Sequence, residues 1–160
     1  MVGDGTLATG INNSAQIVGA YFGSGHIAQG FLYSGGSYTT LVDPTAFGGP
    51  VAFGINAKGD IVGNYIDSSH VSYGFLDSGG TYTTLDDPSA SHSFDQGTTA
   101  SGINKAGQIV GYYFDQTGAH GFLAIPSVPE PSTWALMLIG FAALSLAAAK
   151  RRTHSRANYG

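Results

Sequence analysis

The sequence predicts an all-β protein: tandem four-stranded antiparallel repeats resembling propeller blades, followed by one C-terminal transmembrane helix. Three observations carry that prediction. A block of residues recurs three times along the first 125 positions. Glycine takes 25 of 160 positions, against a usual share of about 7%, so the chain is rich in turns. One apolar run, residues 133–149, holds no charge over 17 residues.

The repeat is legible residue by residue. Gly10-Ile11-Asn12 recurs as Gly54-Ile55-Asn56 and Gly102-Ile103-Asn104. Each is followed at a fixed offset by Ile-Val-Gly (17–19, 61–63, 109–111) and then by Tyr21, Tyr65 or Tyr113. Gly-Phe-Leu appears at 30–32, 74–76 and 121–123, and the first two copies go on through Gly35-Gly36 and Gly79-Gly80 to Tyr-Thr-Thr-Leu and Asp-Pro. The spacing is 44 residues, then 48. Asn56-Ala57-Lys58-Gly59 and Asn104-Lys105-Ala106-Gly107 suit a three-residue hairpin loop, a type I turn closed by a left-handed glycine. In the first copy Ala15 stands at the glycine position. It must either bear the steric cost of positive φ or belong to a different turn.

The strands follow from the pattern between those turns. Ile17–Phe22 is apolar on both alternating faces, which suits a strand sandwiched between two layers. The Gly-Phe-Leu runs supply a second strand, and the Tyr-Thr runs after the Gly-Gly turns a third. Residues just before each Gly-Ile-Asn supply a fourth. Four short strands per unit match the spacing of a propeller blade, and an ordinary antiparallel sandwich of duplicated hairpins is the plainer alternative. The units run about 6–49, 50–97 and 98–125, the third lacking its last strand. Three such units fit an open array, a ring completed by another chain, or the end of a longer protein; the last is favoured.

Charge divides the chain. Residues 1–128 hold nine Asp, no Glu and two Lys, whereas 129–160 hold Glu130 against one Lys and three Arg. The net charge of −4 and the absence of a Lys/Arg cluster in the repeats argue against nucleic acid as a partner. No cysteine is present, which removes disulfides, thiol catalysis and zinc–thiolate sites. Residues 126–132 hold three prolines and read as an extended linker. The 133–149 run reaches about 25 Å as a helix at ~1.5 Å per residue, at the lower limit for a membrane span. Trp134 takes the place of an interfacial aromatic. Lys150, Arg151 and Arg152 orient the segment, since the positive-inside rule puts the 150–160 tail in the cytoplasm and the repeats on the far side. Met1–Phe22 contains no Lys or Arg and no unbroken apolar run, so a conventional export signal is expected upstream of Met1.

Candidate chemistry in the repeats is sparse. His26 and His70 share a repeat position and are expected to lie apart rather than on one metal. Ser91, His92 and Asp95 are sequence neighbours, which is not how a catalytic triad is recognised. Asp67, Asp77, Asp86, Asp87, Asp95 and Asp115 sit near turns, and none fits a calcium-loop pattern. Tyr21, Tyr65, Tyr112 and Tyr113 could offer ring faces to a saccharide, although Tyr at a recurring position suits a core equally. No metal site, cofactor or catalytic residue is expected.

Val128-Pro129-Glu130-Pro131-Ser132-Thr133-Trp134-Ala135-Leu136, then a short apolar helix, then a basic cluster, resembles the PEP-CTERM sorting signal over about residues 127–152. The resemblance implies an exported protein of a Gram-negative bacterium that makes extracellular polysaccharide. It implies an exosortase partner, a membrane-embedded transpeptidase-like enzyme, with Val128 to Thr133 as the recognition segment and Pro129-Glu130-Pro131 as its core. The protein would be held in the inner membrane during sorting and then reach the surface or the matrix. The repeats resemble the extracellular HAF-type repeat. The Phe of Gly-Phe-Leu would be the motif Phe, but only His120 keeps the motif His, with Gln29 and Tyr73 in its place, and Gly replaces the middle Ala. The expected function is that of a non-enzymatic surface or matrix protein; the alternative is a module that binds extracellular polysaccharide. A glycan-active enzyme is disfavoured because the repeats hold Asp but no Glu.

Overall fold

A computed structural model describes residues 5–23, 27–43, 46–47 and 49–126. His26, the sorting segment Val128–Thr133, Trp134, the 133–149 run and Lys150, Arg151 and Arg152 lie outside the described residues. The chain divides into two units, Met1–Pro126 and Ser127–Gly160.

Eleven strands are described in the first unit: β1 (Gly5–Ile11), β2 (Ile17–Phe22), β3 (Ala28–Ser34), β4 (Ser37–Thr40), β5 (Val51–Ile55), β6 (Ile61–Ile66), β7 (Ser72–Ser78), β8 (Thr81–Leu85), β9 (Thr98–Ile103), β10 (Ile109–Asp115) and β11 (Gly118–Ala124). They form three antiparallel meanders, β1-β2-β3-β4, β5-β6-β7-β8 and β9-β10-β11. The expected unit is present, including the missing last strand of the third copy. Among the described residues there is no helix, and the three sheets form neither a closed barrel nor a closed ring.

Each hairpin is closed by the chemistry its sequence anticipates. In the first loop of every unit the Asn backbone pairs with residue i+4 (Gln16, Asp60, Gln108), and residue i+3 donates back to the Asn carbonyl. The Asn side chain accepts from two backbone N–H groups inside the loop. Its amide donates to Gln16 Oε1, Asp60 Oδ2 or Gln108 Oε1 at 2.7–2.8 Å. Gly59 and Gly107 take φ of 89° and 83° as required, and Ala15 adopts the same turn with φ 55°, which settles that alternative. Asp67 builds the same loop between β6 and β7, with His70 at φ 62° in the left-handed place. The Gly-Gly pairs have positive φ at both residues, the backbone of a type I′ turn.

The sheets stack face to face in chain order, with β5 crossing β1 to β3 and β9 crossing β5 to β8. One apolar cluster joins the first two sheets through Val18, Leu41, Ala52, Ile55, Ile61, Tyr65 and Phe75. A second joins the next two through Val62, Ala100 and Ile109, with Leu76, Ile103 and Phe122 against it. The two faces of β6 therefore serve different cores: Ile61 and Tyr65 face back, Val62 faces forward. Polar bonds cross the same interfaces, from Thr9 Oγ1 to Ala52 O at 2.8 Å, Asn12 Nδ2 to Asn56 O at 2.9 Å and Ser72 N to Gln96 O at 2.8 Å.

Two glycines of the repeat answer to this stacking. A Cβ on Gly10 would sit 3.3 Å from Gly54 Cα, and one on Gly54 would sit 3.2 Å from Gly102 Cα. The Gly of each Ile-Val-Gly lies under the ring of the opposing Phe in β7 and β11, and a Cβ there would land on the carbonyl oxygen of Leu7, Val51 or Thr99 in the neighbouring strand.

Candidate functional site

The tyrosines read as a saccharide face do not form one. Tyr65 is buried, its hydroxyl 3.0 Å from Thr84 Oγ1. Tyr21 donates to Gln29 Oε1 at 2.6 Å, and Tyr113 stacks on His120 with ring centroids 5.3 Å apart. Tyr112 points out of the opposite face of β10 and is exposed. The recurring Tyr thus belongs to the fold. Its cross-strand partner is Gln29, Tyr73 or His120. Each of these partners keeps a contact with the Tyr: a hydrogen bond from Tyr21 to Gln29, a ring stack of Tyr65 on Tyr73 at 5.6 Å, and a ring stack of Tyr113 on His120.

The histidines and aspartates disperse in the same way. His92 Nε2 is 2.9 Å from Asp86 Oδ2, while Ser91 Oγ donates to Ser93 Oγ, so among the described residues no side-chain bond joins Ser91, His92 and Asp95 to one another. Asp86 also accepts from Thr98 Oγ1 at 3.2 Å. Asp87 caps its own turn by accepting from Ser89 N. Asp115 accepts from Thr117 N and Oγ1 at 2.6 Å each and lies 3.1 Å from His120 Nε2. The Thr117 bonds first, and the imidazole second, hold its carboxyl down at about 2. Asp77 is the opposite case. Burial inside the central sheet pushes its carboxyl up, against the bond it accepts from Gly80 N at 2.7 Å. Burial likewise raises Tyr82, which hydrogen-bonds to Asp77. Among the described residues no three His, Asp or Glu side chains gather as a metal site would require.

What the structure brings together was not singled out in the sequence. The segment entering each new sheet pairs with the end of that sheet's second strand: Phe47 N donates to Ile66 O and Ser91 N to Phe114 O, both at 2.7 Å. This carries Phe47 and Phe94 to either side of His70, with ring centroids at 5.8 and 4.9 Å. Two clefts open beside the imidazole. One of about 360 Å³ lies against Ile27, Phe47, Val51, Tyr65 and His70. The other, about 170 Å³, lies against His70, Asp95, Gln96, Thr99 and Tyr112. The available signal was the pattern Asp67-x-x-His70-Val71, which matches Asn56-x-x-Gly59-Asp60 and marks His70 as a left-handed turn residue held outward.

The second unit is characterised by comparison. Residues 127–152 match the PEP-CTERM protein-sorting motif. The motif supports a protein sorted by an exosortase, exported and held at the membrane before release at the surface. No curated protein and no solved structure matches the chain. Among the described residues no helix is long and apolar enough to cross a membrane, and the 133–149 segment is not among them.

Proposed function

We propose that this chain is an exported, non-enzymatic protein of the cell surface or extracellular matrix of a Gram-negative bacterium. An exosortase processes it at its C-terminal signal. The observation that carries the proposal is the motif match over residues 127–152. In it Pro129-Glu130-Pro131 is the recognition core, residues 133–149 are the membrane helix, and Lys150, Arg151 and Arg152 hold the cytoplasmic side. The repeats are HAF-type units stacked like propeller blades. Intact mass of the mature protein, expressed behind a working export signal in a host with an exosortase, tests this. A product ending near Pro129–Ser132 is expected, and one retaining Arg152 would refute processing.

The second reading, polysaccharide binding, is favoured by the exposed Phe47 and Phe94 flanking His70 beside the two clefts. Apolar ring faces next to Asn64, Asp95 and Gln96 suit a sugar's C–H face and hydroxyl edge. Binding to the host's polysaccharide, lost on Phe47→Ala and Phe94→Ala, is the expected result; unaltered binding removes the reading.

A further inference from the structure

The two end faces of the stack carry the residues that make its internal interfaces. Inside the stack the forward face of one sheet presents Gly10, Val18 and Leu32, or Gly54, Val62 and Leu76. The receiving face presents Ile55, Ile61 and Tyr65, or Ile103, Ile109 and Tyr113 at the same repeat positions. The outer face of β9–β11 repeats the forward set as Gly102, Val110 and Leu123, beside exposed Tyr112 and Phe114. The outer face of β1–β4 repeats the receiving set as Ile11, Ile17 and Tyr21.

Exposure shows that both faces lack what the internal ones have. Val18 and Val62 are 0% exposed and Val110 is 51%. Ile55 is 8% exposed and Ile11 is 67%. Strands β1 to β4 contain no charged residue, and on β9 to β11 the charged Asp115 and the titratable His120 lie on the side facing the central sheet. A charge-free apolar face of this kind is characteristic of an interaction surface.

We propose that the outer face of β9–β11 docks the outer face of β1–β4 of a second copy of this chain, in the sheet-on-sheet arrangement already realised twice within each copy. A second copy is the occupant these faces fit, because every copy carries both halves of the contact. Such head-to-tail contacts are heterologous and close into a ring where the rotation allows. The proposal is independent of the sorting function.

The test uses the full chain in detergent, co-expressed with two different tags, and reads capture of one tagged copy by the other. Wild-type copies are expected to capture each other. Val110→Lys with Leu123→Lys spoils one face and Ile11→Lys the other; all three side chains are exposed within one copy, so each variant should fold with an unchanged melting profile at low concentration. Either variant alone should lose roughly tenfold or more in self-capture. A mixture of the two variants should recover capture, because each retains the face the other lacks. Wild-type copies that never capture each other overturn the proposal. So does capture indifferent to the substitutions, as association through residues 133–149 would give. A single-copy protein whose melting falls on Val110→Lys also overturns it, because the face would then be covered by another segment of the same chain.

Discussion

Val62 and Val110 stand at the same place in successive repeats, on the second strand of neighbouring sheets, yet one is fully buried and the other half exposed. The central sheet β5–β8 has a layer against each face, while β9–β11 is covered on one face alone among the described residues. Residue choice therefore follows the repeat and not local burial: the third unit keeps an interface residue where nothing described covers it. The same holds for Gly54 against Gly102, while Phe75 against Phe114 and Asp77 against Asp115 set the enclosed and the open layer side by side at unlike repeat positions. Each pair turns the difference between an enclosed and an open layer into a measurement.

The largest contrast is expected from the aromatic pair. Phe75 is fully buried over Gly63 and packs on Tyr82, so Phe75→Ala should destabilise by about 3–5 kcal/mol. Phe114 lies on the open face, and Phe114→Ala in a single-copy protein should cost about 1 kcal/mol or less. Thermal unfolding followed by circular dichroism reads both, and equal losses would show that the face of β10 is covered. The glycine pair comes next. Gly54→Ala forces a methyl against Gly102 Cα and should cost about 1–3 kcal/mol. Gly102→Ala meets only Val110 Cγ2 at 3.5 Å and should stay within about 0.5 kcal/mol. If Gly102→Ala instead abolishes capture of a second copy, the docking contact gains a named point of closest approach.

The legibility of this fold follows the same division. Turns were legible because their chemistry is local: Asn with Gly three residues on fixes the hairpin loops, and Gly-Gly fixes the I′ turns. The double-sided apolar pattern of Ile17–Phe22 implied a strand between two layers; that arrangement is found at its counterpart β6, whereas β2 lies in an end sheet with a layer on one face among the described residues. The role of the recurring tyrosines was ambiguous, because an apolar ring with a hydroxyl serves a core or a ligand, and only the partners Gln29, Tyr73, His120 and Thr84 decide. The clefts beside His70 were not legible, since they join residues 47, 70 and 95 from three loops. The sorting segment was the reverse case, read from a contiguous motif and matched over the same residues, 127–152.

Smaller effects sharpen the comparison between units at their shared turn. Ala15 holds φ 55° where Gly59 and Gly107 hold 89° and 83°. Relief of about 1–2 kcal/mol of left-handed strain, less about 0.4–1 kcal/mol for the freer unfolded chain, leaves Ala15→Gly a net gain of roughly 0.5–1 kcal/mol. Gly59→Ala should lose a similar amount. A melting temperature that falls on Ala15→Gly would mean the first loop is held by more than its backbone geometry.

The smallest expected effects are the titrations of the two carboxylates, and they run in opposite directions. Asp115 is held down at about 2, so its contribution to stability is present above the ordinary carboxylate value and is lost as pH falls toward about 2. Asp77 is raised by burial, so the folded state favours its proton, and its charge opposes folding increasingly as pH rises through that raised value. Unfolding midpoints measured from pH 2 to 7 should therefore show Asp115→Asn removing part of the acid-limb decline, while Asp77→Asn steepens it by removing a group whose protonation favours the fold. Side-chain carboxyl resonances followed by NMR assign each step to its residue. A common titration for the two would mean that the central layer is as open to water as the end one, contrary to the enclosure of Asp77 between β7 and its turn.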